Sequence, residues 1–161
     1  FDLIFAVESM CHLGTNKRLH KLGAALRKTL HPGGSFVLID AFRAAEFAQA
    51  PAGQQAAMQA AEHAFHITRM FSRDEWAAVL KTHDLRVRDT RVLTAQVLPF
   101  WTKAWRCTRL LLHGSAVLVM YAQWSDSARM HVANILAGGV VAHALRGGAA
   151  AEYACVEFGA G

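Results

Sequence analysis

Two apolar runs with one helix-patterned stretch between them constrain this chain more than anything else in it. Phe1, Leu3, Ile4, Phe5, Ala6 and Val7 form a run interrupted only by Asp2, and Phe36, Val37, Leu38 and Ile39 form a second that ends at Asp40. Strands without polar alternation suit a sheet covered on both faces, as in parallel α/β sheets. Between the runs, Leu19, Leu22, Leu26 and Leu30 recur at spacings of three and four, which is one apolar stripe on a helix. Thr15 stands where an N-cap hydroxyl is needed. "HPGG" ends the helix, because Pro32 cannot continue it and Gly33 or Gly34 can take positive φ. Strand, helix and strand with tight connections predict a βαβ unit with a right-handed crossover. The first strand, residues 1–9, would need hydrogen-bonded neighbours on both sides, so the chain reads as the back half of something larger.

The remainder continues the alternation. Residues 43–66 are rich in Ala and Gln and are broken by Pro51 and Gly53, predicting a short helix and then a longer one over about 54–66. Ser72 and Glu75 form a capping box that starts a helix with Trp76, Val79 and Leu80 turned inward, ending near His83. Residues 85–93 read as a third strand, more polar and therefore nearer an edge. The stretch 95–146 is mostly helical, with Trp101, Trp105 and Trp124 unevenly placed, and Gly147 and Gly148 turn into a last strand, "EYACVEF" at 152–158. The expected class is α/β, four strands with helices on both faces. It is read as one partial domain: a βαβ core over 1–42, a helical segment over 43–70, a helix and strand over 71–94, a helical lobe over 95–146 and a final strand over 147–161.

Composition narrows the function classes. With 53% hydrophobic and 18% charged residues the chain can bury a core, which excludes wholesale disorder. The run "LLLHGSAVLVMYA" at 110–122 holds His113, Gly114 and Ser115 and is too short and polar for a span of roughly 20 apolar residues. It is expected as a buried helix, with core, dimer surface and membrane-facing patch as open assignments, and no stable membrane insertion. No basic segment and cleavage site mark a signal peptide. The three cysteines make no CxxC and no zinc spacing, which suits a reduced, cytoplasmic setting. The net charge of +5 is spread over Lys17, Arg18, Lys21, Arg27, Lys28, Arg86, Arg88 and Arg91 without a dense block. A solvated surface explains it better than a nucleic-acid partner.

In open α/β sheets, ligands bind outside the carboxyl ends of the strands. Glu8, Ser9 and His12 follow the first strand there, and Asp40 ends the second. Two readings fit these residues. His12 and Asp40 can form a general base and its acidic partner, since the ordinary histidine pKa of about 6.5 suits neutral pH. Alternatively His12 caps a turn and Asp40 caps the helix that follows it. His63 and His66 lie three apart with no further ligands converging in sequence, so a surface or pocket-lining role is expected and no metal site is predicted. Cys11 adjoins His12, yet adjacency in sequence does not make a nucleophilic dyad. The glycine pairs form neither GxGxxG nor a P-loop.

The opening residues resemble the class I S-adenosylmethionine-dependent methyltransferases, in particular the small-molecule branch called methyltransferase type 11. "FDLIFAVES" looks like that family's fourth strand, "LHPGGSFVLID" like its "LkPGG" turn and fifth strand, and "ESMCH" is similar to the "ESxxH" of natural-product sugar O-methyltransferases and of sterol, tocopherol and glycine methyltransferase relatives. More weakly, "FSRDEW" resembles the helix start before the sixth strand, "TAQVLPFWTKAW" the entry to the substrate-covering helices, and "EYACVEF" the seventh strand.

The resemblance implies the C-terminal half of a Rossmann-like methyltransferase fold, with strands in the order 4-5-7-6 and a helical substrate lid. It implies S-adenosyl-L-methionine as cofactor and a small-molecule acceptor methylated by direct displacement at oxygen, nitrogen or carbon. His12 would be the general base and Asp40 its orienting acid. Ala6, Val7, Glu8 and Ser9 would form one wall of the cofactor site, and Cys11, Gln96, Phe100 and Trp101 would contact the substrate. The family's glycine loop and ribose-gripping acid have no counterpart in this sequence, which implies a missing N-terminal half or a partner chain, with a homodimer as a further expectation. Two other readings stand beside the enzyme: a non-catalytic scaffold or partner subunit, and a basic nucleic-acid-binding module that salt-sensitive binding would reveal.

Overall fold

The structure is a computed structural model that describes residues 1–113, 123 and 125–161. Most of the apolar run at 110–122, and Trp124, therefore lie outside the described residues. Strands β1 (Leu3–Val7), β2 (Ser35–Arg43), β3 (Leu85–Val92) and β4 (Ala151–Ala160) form one sheet in the order β1-β2-β4-β3. Helices α1 (Asn16–Thr29), α2 (Ala52–Ala64), α3 (Arg73–Lys81), α4 (Thr94–His113) and α5 (Asp126–Leu145) join them, with short 3-10 turns at Met10–Leu13, Phe47–Gln49 and Arg146–Gly148. β1 and β2 run parallel, with Leu3 opposite Ser35 and Val7 opposite Ile39. β4 enters between β2 and β3 antiparallel to both, so the last strand in sequence is internal and the polar β3 is an edge, as expected. Among the described residues, no helix is long and apolar enough to cross a membrane.

Local chemistry sets the boundaries. Thr15 is extended and its side chain accepts the Arg18 N–H, so α1 begins at Asn16. Arg27 and Lys28 in its last turn complement the negative end of the helix. Gly33 then takes a φ of 81°, a conformation that costs other residues more than glycine. Ser72 and Glu75 make both hydrogen bonds of the capping box that opens α3.

The first face of the sheet is sealed. The α1 stripe supplies Leu19 and Leu26, with Leu30 just beyond the helix, and α3 supplies Trp76 and Leu80. They pack on Phe36, Leu38 and Phe42 of β2 and on Val156 and Phe158 of β4. Phe36 and Phe158 face each other across the antiparallel pair and stack with centroids 6.1 Å apart. Each fully buried apolar side chain here contributes about 1.5–3 kcal/mol. Arg73 of α3 pairs bidentately with Glu152 at the rim of this layer. At the β3 edge, the Arg88 guanidinium crosses Gly159 so closely that it leaves no room for a Cβ there.

Helices lie on the second face too, but they cover it unevenly. α2 and α5 pack over Ala41 and Ala151, at the carboxyl end of β2 and the start of β4, through Met58, Ala144 and Leu145. On β1 the same face is open. Leu3 is 56% exposed, Phe5 70% and Val7 49%, and among the described residues no strand pairs with the outer edge of β1. Among the described residues the cover that the unbroken apolar run of β1 led one to expect is absent there; those of α2 and α5 that pack on the sheet do so at its carboxyl end.

Candidate active site

The site lies where β1 and β2 end and β4 begins. Beyond Val7 the chain makes one more ladder bond, from the Glu8 N–H to the Ile39 carbonyl at 2.9 Å. It then leaves the sheet with Glu8 at a φ of 47°, a left-handed conformation uncommon for a residue with a side chain. Ser9 leads into a short 3-10 turn over Met10–Leu13, closed by Gly14 with a φ of 63°. This turn carries Cys11 and His12 to the rim.

Asp40 holds the turn. It is 3% exposed, and its Oδ2 accepts the N–H groups of Met10 and Cys11 at 3.0 and 3.1 Å, while Oδ1 accepts its neighbour Ala41 at 2.8 Å. A carboxylate facing the unsatisfied N–H groups that begin a helical turn is a favourable arrangement. Burial raises the Asp40 carboxyl above its ordinary value, against the lowering effect of these N–H donors. The Cys11 thiol is pushed up to about 12, by burial first and by the charge of Asp40 second. Cys11 is thus a protonated thiol at neutral pH, not a nucleophile.

Tyr153 of β4 completes the group. It pairs with Ala41, one residue beyond Asp40 on the opposite face of β2, and its hydroxyl donates to Glu8 Oε1 at 2.8 Å. Burial, then the hydrogen bond and charge of Glu8, hold the phenol above its usual range. The Tyr153 backbone is fixed by α4: its N–H donates to Thr94 Oγ1 at 2.9 Å, and its carbonyl accepts the Leu93 N–H at 2.7 Å.

These residues line one cavity of about 150 Å3 together with His12. Its apolar wall comes from Met58 and Phe65 at α2, Trp101 of α4 and Val141 and Leu145 of α5. An ion pair fixes that wall. Arg43 donates through Nη2 to both carboxylate oxygens of Glu62 at 2.8 Å, and Glu62 also accepts the Met70 N–H at 2.8 Å. Glu62 is buried, and the Arg43 guanidinium lies 4.3 Å from the centre of the Phe47 ring.

The structure brings together Glu8, Cys11, His12, Asp40 and Trp101 of the residues expected at the site. The hydrogen bonds of Asp40 go to the turn backbone, which is capping, though of the turn before β2 and not of the helix after it. Ala6 packs against the sealed core, and Val7 and Ser9 are exposed at the open edge beside the cavity. Gln96 is exposed, and Phe100, 67% exposed, meets Trp101 edge-on at 5.2 Å; neither lines the cavity. Tyr153 was not anticipated. Its signal in sequence was its place on the last strand, but only the antiparallel register aims it at Glu8. Among the described residues, no three His, Cys, Asp or Glu side chains converge as a metal site.

No family model matches the chain, and no curated protein matches it in sequence. Solved structures do. The cyclopropane synthase MmaA2 from Mycobacterium tuberculosis aligns with a TM-score of 0.70 at 11% identity, covering 98% of this chain and 55% of that one. A geranyl diphosphate C-methyltransferase from Streptomyces coelicolor A3(2), crystallised with S-adenosyl-L-homocysteine, aligns at 0.63 and 16% identity over 98% and 45% of the two chains. A cyclase, SpnF, aligns at 0.58 and 14% over 99% and 49%. The chain spans about half the length of the solved structures it matches. It has the fold of the class I S-adenosylmethionine-dependent methyltransferases over about half of their length, and its strand order β1-β2-β4-β3 is the 4-5-7-6 order that the resemblance implied.

Proposed function

We propose that the chain forms the acceptor-side half of an S-adenosylmethionine-dependent methyltransferase acting on a small molecule. The observation that carries this reading is the convergence of Glu8, His12, Asp40 and Tyr153 on one apolar-walled cavity at the carboxyl ends of β1 and β2. Asp40, Cys11 and Tyr153, each raised above its ordinary pKa by burial, lie in this cleft, and perturbed groups gathered in a cleft mark a candidate reaction site. The cofactor fits the same place: Val7, Glu8 and Ser9 present an exposed strand end beside the cavity, with a carboxylate available to a positively charged group. Ala6, Val7, Glu8 and Ser9 would hold its methionine end. When bound, it supplies an electrophilic methyl group on a sulfonium.

The chain's own residues do the rest. His12, exposed at the cavity mouth, takes the proton that an oxygen or nitrogen acceptor must lose. Asp40 acts through the backbone, fixing the turn that carries His12. Trp101, Met58 and Phe65 exclude water and hold the acceptor at attack distance, which supplies most of the acceleration in a direct displacement. Cys11 lines the acceptor side as a neutral thiol. The glycine loop and ribose-binding acid come from an upstream segment or a partner chain. The unpaired cysteines Cys11 and Cys155 support a cytoplasmic setting.

Calorimetric titration of S-adenosylmethionine and S-adenosylhomocysteine into the 161-residue chain tests this. Weak, saturable one-to-one binding is expected, retained in His12→Ala and diminished in Glu8→Gln. A folded sample that gives no heat with either compound would contradict a cofactor wall in this chain.

A second reading has its own observation. The exposed Leu3, Phe5 and Val7 beside an unpaired edge suit a scaffold or obligate partner subunit, or a homodimer joined there. SpnF shows that this fold also hosts a protein named for cyclisation, so fold alone does not fix the chemistry. Sedimentation of the chain over a concentration series decides between monomer and assembly.

A further inference from the structure

Away from the cavity, on the solvent side of α1, we propose a binding site for a divalent transition-metal cation of the imidazole-preferring kind, zinc first among them, held by His20 and His83. His20 stands on α1 and His83 in the turn between α3 and β3, and Nδ1 of His20 lies 3.2 Å from Nε2 of His83. Zinc–imidazole bonds are about 2.0–2.1 Å long, so two nitrogens at this separation would subtend about 100° at a shared metal, near the tetrahedral angle of about 109°. Residues 63 positions apart in sequence thus arrive at chelating distance.

The fold fixes one ligand and leaves the other free to adjust. The His83 ring fills the space where a Cβ on Gly23 would stand, so that a glycine on α1 makes the seat for the imidazole. The turn beneath it is tied by its own backbone: the N–H groups of Thr82, His83 and Asp84 donate to the carbonyls of Val79, Leu80 and Lys81 at 3.1, 2.9 and 3.2 Å. Leu19 and Leu26 of α1 share the buried core with Trp76 and Leu80 of α3, so both ligands ride on packed elements. His20 is exposed, and its side chain can shift until its lone pair meets a metal held by His83.

In the hydrogen-bonded pair, one ring carries the shared proton. For both nitrogens to bind, that ring passes to its other tautomer, leaving the protons on Nε2 of His20 and Nδ1 of His83. A neutral pair therefore releases no net proton, and water fills the remaining coordination positions. Two protein ligands make an exchangeable site, unlike the closed four-ligand site of a structural zinc. Imidazole suits zinc, nickel and copper, whereas magnesium takes oxygen ligands.

Zn2+ titrated into the chain and followed by amide chemical shifts tests this, with Mg2+ as the comparator. The first shifts should fall at His20, Lys21, His83 and Asp84, before any at His63 and His66. His20→Ala and His83→Ala should each weaken this first binding about a hundredfold, because either leaves a single ligand, and the double variant should be no weaker than the singles. His31→Asn should leave it unchanged. If His83→Ala does not fold, His20→Ala, at an exposed position, carries the test. First shifts at other histidines, an equal response to Mg2+, an affinity that survives His20→Ala, or no binding by a folded sample would overturn the proposal. The pair shares no residue with the cavity, so the proposal stands or falls apart from the methyltransferase reading.

Discussion

The two faces of the sheet solve different problems with the same strand. On β2, Phe36, Leu38 and Phe42 point into a layer closed by α1 and α3, where apolar side chains fill the space. Asp40 lies on that same face yet turns its carboxylate to a backbone turn at the rim. On the opposite face, Ala41 and Arg43 face α2 and α5, with a cavity left between them, and nearer β1 none of the described residues covers the exposed Leu3, Phe5 and Val7. The sealed face carries stability. The other carries polar groups that only partly satisfy one another, which is where binding is built.

If that contrast is right, damage on the two faces should differ in size and kind. The largest loss should come from Phe158→Ala on the sealed face, about 3–5 kcal/mol of unfolding free energy in a urea titration. Little change there would mean that the α1–α3 layer is looser than its burial indicates. Breaking the clamp on the other face with Glu62→Ala should cost about 3 kcal/mol, because Arg43 would be left unpaired beneath α2.

Asp40→Asn should cost about 1–3 kcal/mol, since an amide cannot accept from all three backbone N–H groups. It should also alter the pH dependence of stability. The folded carboxyl is raised, so the folded state holds the proton more tightly than the unfolded chain. This group's contribution is greatest at low pH and declines as pH rises from the ordinary carboxylate value, about 4, to the raised folded value. The Asn variant should lack that decline, and an unchanged profile would remove Asp40 as its source. At Cys11, the rise from 9.0 to about 12 predicts alkylation by iodoacetamide near neutral pH roughly a thousandfold slower than for an ordinary thiol. Peptide mapping after brief exposure reads that rate. Smallest of all, Phe5→Ser on this exposed face should change stability by less than about 0.5 kcal/mol in a urea titration.

The sequence was most readable where local chemistry decides structure. Thr15, the leucine stripe, Pro32 with Gly33 and the Ser72–Glu75 box each act within a few residues, and all appear as expected. The strand order followed from resemblance and is the observed order. What stayed hidden depends on partners distant in sequence. Tyr153 meets Glu8 across 145 positions, through an antiparallel register that no local pattern encodes. Asp40 looked like a partner for an imidazole because both fall at the rim; only the path of the Met10–Leu13 turn shows its oxygens occupied by N–H groups. Gln96 and Phe100 share α4 with Trp101, but a helix presents neighbouring positions to different sides, and only Trp101 reaches the cavity.

The most direct test of the central claim is a chemical-shift map of the chain titrated with S-adenosylhomocysteine to millimolar concentration. The account predicts shifts concentrated at the amides of Ala6, Val7, Glu8, Ser9 and Cys11, with a smaller response at Tyr153. Shifts confined to the α1–α3 face, or none anywhere in a folded sample, would contradict it.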